Sequence, residues 1–70
     1  MDPLDFNMIL RRMPFRPFRV RLTLDLEFEI RHPEMAALEF STVVVQVDNG
    51  DETVLSLSHI VAIEYLPVRT

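Results

Sequence analysis

The chain is expected to be a mainly β domain: a short N-terminal helix, then a strongly bent, five-stranded antiparallel small barrel. Three features of the 70 residues lead there. Residues 18–30 (FRVRLTLDLEFEI) alternate without a break between apolar and polar. Residues 42–47 (TVVVQV) are β-branched. The chain's single glycine, Gly50, sits in an Asp-Asn-Gly-Asp-Glu turn between two apolar stretches.

The alternating run sets the architecture. Phe18, Val20, Leu22, Leu24, Leu26, Phe28 and Ile30 occupy the even positions. Arg19, Arg21, Thr23, Asp25, Glu27 and Glu29 occupy the odd ones. Successive strand side chains point to opposite faces, so the run specifies one buried and one solvated face of an antiparallel sheet. Thirteen extended residues would span about 40 Å, too long for one strand of so small a domain. A hairpin shortens it, and the faces dictate where. A two-residue turn at Leu24-Asp25 would set Leu22 opposite Glu27. A three-residue loop, Thr23-Leu24-Asp25, sets Leu22 opposite Leu26, Val20 opposite Phe28 and Phe18 opposite Ile30. Only the second keeps the apolar residues together, and it calls for positive φ at Asp25.

The segment before the run reads as a helix over 3–12. Asp2 is placed as an N-cap with Pro3 at the first helical position. Asp5 lies in the first turn and Arg11 and Arg12 in the last, each at the end the helix dipole favours. Leu4, Phe6, Ile9, Leu10 and Met13 make an apolar stripe, and Pro14 and Pro17 end the helix. Beyond residue 30, Arg31-His32-Pro33-Glu34 breaks the alternation, and Pro33 to Leu38 reads as a loop with one helical turn. Strands follow at 42–47, 54–58 and 61–66, with a bend at His59-Ile60 and Pro67 as the stop.

Composition narrows the function. Residues 1–70 make one domain. Half the residues, 49%, are hydrophobic, which is high for a domain that buries only about 60% of its unfolded surface, so a homo-oligomer is expected. There is no cysteine, which excludes a disulfide framework and thiolate metal sites. No apolar run has the length of a membrane span, and the acidic start is unlike a signal peptide. A cytoplasmic protein is the expectation. The net charge of −4 argues against a general polyanion binder. It is unevenly spread: five arginines against two acids before Leu24, then two arginines against nine acids.

Two resemblances bear on fold and function. The run Met13-Pro14-Phe15-Arg16-Pro17-Phe18-Arg19-Val20-Arg21-Leu22, with His32-Pro33-Glu34, the valine strand and Leu55 to Glu64, resembles a group of short bacterial proteins to which no activity is attached. Its usual Asp-Gly turn is Leu24-Asp25 here. Leu22 to Phe28 is also similar to the first hairpin of Sm-like proteins of the Hfq type, and Ser58-His59-Ile60 is similar in place to their Lys-His RNA-contacting turn, with the lysine missing. That resemblance implies an Sm-like or SH3-like barrel and, as an alternative function, RNA binding by a homo-oligomeric ring.

The candidate site residues follow. For RNA they are His59, which could stack on a base or simply bond a carbonyl at a bend, and Arg11, Arg12, Arg16, Arg19 and Arg21. The register also lets Arg19 and Arg21 pair with Glu29 and Glu27, which needs no ligand. Phe15 and Phe18 fit either a stacking platform or a pin between helix and barrel. His32 and His59 are too few for a metal site. Glu27 and Glu29 lack a nucleophile or pocket, so no catalytic residue, no cofactor and no small-molecule substrate is expected. The function expected first is a non-catalytic, self-associating binding or scaffolding module.

Overall fold

A computed structural model of the chain describes residues 1–23, 25–47 and 50–67. Helix α1 (Pro3–Leu10) is followed by β1 (Phe18–Arg21) and β2 (Glu27–Ile30). A 3₁₀ turn (Pro33–Met35) leads into β3 (Ala36–Glu39), β4 (Thr42–Gln46) and β5 (Glu52–Ser56). A second 3₁₀ turn (Leu57–His59) leads to β6 (Ala62–Tyr65). The strands form two three-stranded antiparallel sheets, β2-β1-β6 and β3-β4-β5.

The first hairpin has the expected register: Phe18 faces Ile30 and Val20 faces Phe28, and the Leu22 N–H donates to the Leu26 carbonyl at 2.9 Å. Phe18, Val20, Leu22 and Ile30 are buried and Phe28 half-buried, while Glu27 and Glu29 are exposed. Leu26 departs from the pattern at 48% exposure, because it closes the loop at the end of the sheet. Leu24, and with it the dihedral expected at Asp25, lies outside the described residues.

Both sheets face one core. Phe18, Val20 and Ile30 from the first meet Ala36, Val43, Val45 and Leu55 from the second, with Leu57 from the linking turn. α1 closes it through Phe6 and Leu10, the Phe6 ring standing edge-on to Phe18 at 6.1 Å. The cap is as expected, with Asp2 Oδ1 accepting from the Leu4 N–H at 2.8 Å. Leu4 and Met13 of the expected stripe are instead exposed. The helix stops at Leu10, so Arg11 is the C-cap and neither Arg11 nor Arg12 lies in the last turn. Pro14 accounts for this, since its ring would clash with the Leu10 carbonyl of a continuing helix.

The expected five-stranded barrel requires correction. The described residues hold six strands in two sheets, with no ladder joining them into a closed barrel. Pro33 cannot donate to a ladder, and the 3₁₀ turn it begins separates β2 from β3. Residues 36–38, expected in a helical turn, are strand paired to β4. The returning strand is Glu52–Ser56 rather than 54–58, because Leu57–His59 coils, with the Ile60 N–H bonded to the Leu57 carbonyl at 3.2 Å. β6 returns to β1, with flanking bonds from the Val61 N–H to the Arg21 carbonyl and from the Leu66 N–H to the Pro17 carbonyl. Gly50 has φ +80°, as its turn requires; Asp48 and Asn49 of that turn lie outside the described residues. Among the described residues no helix is long and apolar enough to cross a membrane.

Candidate functional site: a cavity lined by arginines

The five arginines of the N-terminal third divide into two sets. Arg19 and Arg21 lie on the outer face of β1, opposite Glu29 and Glu27 on β2, with Glu64 on β6 beside them. They form a ladder of alternating charge across three strands. Arg21 Nη2 is 3.0 Å from Glu64 and its Nε 3.7 Å from Glu27. Arg19 is 3.5 Å from Glu27 and 3.3 Å from Glu29. Arg31 completes the row at 2.7 Å from Glu29. Three cations and three anions cancel. The pairing expected from register is therefore present, joined by Glu64 and Arg31, which sequence alone did not bring to it.

Glu29 sits between two of these cations. Its hydrogen bonds from Arg19 and from Arg31 hold its carboxyl below the usual carboxylate range. All these side chains remain open to solvent, so each pair contributes little by itself.

Arg12 and Arg16 are placed differently. Among the described residues neither is in an ion pair with a carboxylate. Both guanidiniums lie over the ring of Tyr65, Arg16 at 4.5 Å and Arg12 at 5.4 Å from its centroid. Tyr65 stands opposite Phe18 at the end of β6, so the pairing of β6 with β1 brings the ring beneath the Pro-rich link. Beside it opens a cavity of about 470 Å³, bordered by Arg12, Arg16 and Arg31 and walled by Pro14, Phe15 and Leu66. Arg16 Nε is shielded from solvent and has no hydrogen-bond partner among the described residues. Arg19 Nε is likewise unbonded, but Glu27 stands 3.5 Å from it.

The other candidates lie elsewhere. Arg11 borders a separate groove between α1 and β3 that Glu34 also lines. His59 ends the second 3₁₀ turn with its side chain exposed; among the described residues its ring makes no hydrogen bond, so it is not fastened to a carbonyl at the bend. His32 precedes Pro33 and is exposed. Phe18 is fully buried and Phe15 lies 6.0 Å from it, which makes Phe18 a pin for the helix rather than an open platform. Among the described residues no three His, Asp or Glu side chains converge as metal ligands would.

Two features had no sequence signal. Strand pairing brings Arg31 to the border of the cavity and the Tyr65 ring beneath Arg12 and Arg16 beside it. Phe40, in the two-residue loop between β3 and β4, has φ 55° and is 95% exposed. Set against protein families, curated proteins and solved structures, the chain matches none of them.

Proposed function

We propose that this chain is a non-catalytic, self-associating binding or scaffolding module on a small, bent β-fold. In that proposal β2 and β3 are two limbs of one bent strand, and the order of the remaining elements is that of an SH3-like or Sm-like barrel left open. A core shared by both sheets supports it.

Phe40 carries the proposal of self-association. An aromatic residue in left-handed backbone costs about 1–2 kcal/mol, and at 95% exposure Phe40 returns nothing to the core. A partner that covers the ring would recover its exposed apolar surface, and a backbone cost retained for a fully exposed ring points to such a contact. Edge strands beside it, β3 and β5, offer backbone groups for pairing between copies. Light scattering should give a mass above one chain, rising with concentration. A strict monomer at millimolar concentration would contradict the proposal.

The alternative is RNA binding on a homo-oligomeric rim. Exposed His59 and the absence of carboxylate partners for Arg12 and Arg16 among the described residues favour it. The charge ladder that engages Arg19 and Arg21 weighs against it. Titration of labelled U-rich or A-rich RNA decides: binding that weakens as salt rises supports it, and no binding at low salt removes it.

A further inference from the structure

Three of the six described arginines, Arg19, Arg21 and Arg31, are in ion pairs with carboxylates. Arg11, Arg12 and Arg16 are in none among the described residues, and two of them, Arg12 and Arg16, border the cavity beside Tyr65. Among the described residues its border holds three guanidiniums and no carboxylate side chain, and of the three Arg31 is in an ion pair, with Glu29. We infer that the cavity is a binding site for a small organic anion, a carboxylate or phosphate group carried on an apolar, ring-sized body.

Four observations converge on that class. The volume, about 470 Å³, falls in the range of small-ligand pockets, roughly 300–1,000 Å³. Pro14, Phe15 and Leu66 supply an apolar wall that a bare inorganic ion would leave unused. Arg12 and Arg16 hold their guanidinium carbons over the Tyr65 ring, 5.4 and 4.5 Å from its centroid. A cation–π contact takes up none of the guanidinium's hydrogen bonds with an acceptor, so its donors are left for a ligand. Arg16 Nε is likewise without an acceptor among the described residues, although it is itself shielded from solvent. The head group therefore meets donors held in place, and the body lies against Phe15 and the prolines. This site is separate from self-association, and neither depends on the other.

The test is titration of the full chain with phenyl phosphate, benzoate, inorganic phosphate, benzylamine and a uridine hexanucleotide, followed by ¹H–¹⁵N spectra. Saturable binding of phenyl phosphate or benzoate is expected, with shifts at Arg12, Phe15 and Arg16; whichever binds tighter identifies the head group. Arg16→Gln should weaken binding about tenfold or more, since it removes charge-assisted hydrogen bonds. Should that variant not fold, Arg12→Gln and contacts between probe-ring protons and the Phe15 ring take its place. The inference is overturned if neither aryl anion binds or benzylamine binds equally well. It is also overturned if inorganic phosphate matches phenyl phosphate, if the hexanucleotide binds tighter than either aryl anion, or if a folded Arg16→Gln or Arg12→Gln protein binds undiminished.

Discussion

Replacing Phe40 with asparagine separates what the residue costs the single chain from what it gives an assembly. The loop between Glu39 and Thr42 has two residues, and its first, Phe40, sits at φ 55°. Left-handed backbone costs a non-glycine residue about 1–2 kcal/mol, and asparagine tolerates it better than phenylalanine. At 95% exposure the ring loses almost no burial when removed. Phe40→Asn should therefore stabilise the isolated chain by about 1 kcal/mol, read by urea unfolding at a dilution where single copies prevail. Burial of a phenylalanine side chain contributes about 1.5–3 kcal/mol, and 1.4 kcal/mol is a factor of about ten in affinity. The same substitution should then raise the dissociation constant between copies about tenfold to a hundredfold, read by sedimentation. A variant that unfolds more easily would refute the backbone argument. One that associates as tightly as the parent would refute the role given to the ring.

Two further predictions concern the core and the charge ladder. Ile30 is fully buried, so Ile30→Val should destabilise the chain by about 0.5–1.5 kcal/mol in chemical unfolding; no change would mean that the β2 end of the core is loosely packed. Glu29 titrates below the ordinary carboxylate range because Arg19 and Arg31 hydrogen-bond it. A depressed folded value means that its stabilising contribution is present above the unfolded value and is lost as pH falls through the folded one. A carboxyl-detected NMR titration should show the low value, and Arg19→Gln or Arg31→Gln should return it toward normal.

What the sequence made legible is what depends on side-chain period. The strict alternation over residues 18–30 allowed one loop placement, and the paired positions of β1 and β2 follow from it. The opposition of Arg19 to Glu29 and of Arg21 to Glu27 came with the same register. β3 was hidden because Met35-Ala36-Ala37-Leu38-Glu39 consists of good helix formers, and pairing with β4 overrides that local preference. The left-handed residue at position 40 was hidden because nothing in Glu-Phe-Ser-Thr signals a turn of that kind. The arginine-lined cavity was hidden for a third reason. Arg12 and Arg16 are visible in the sequence, but Tyr65, 49 residues after Arg16, joins them only because β6 crosses back to β1.

Everything positioned here depends on apolar residues 18–30 turning one face to the core. Contacts between backbone Hα protons across β1 and β2 test that most directly. Arg19 with Glu29 and Arg21 with Glu27 should give the strong cross-strand signals. Strong signals from Arg19 to Phe28 and from Arg21 to Leu26 instead would mean a one-residue slip that turns glutamates inward, and the core, the charge ladder and the cavity beside Tyr65 would not exist as described.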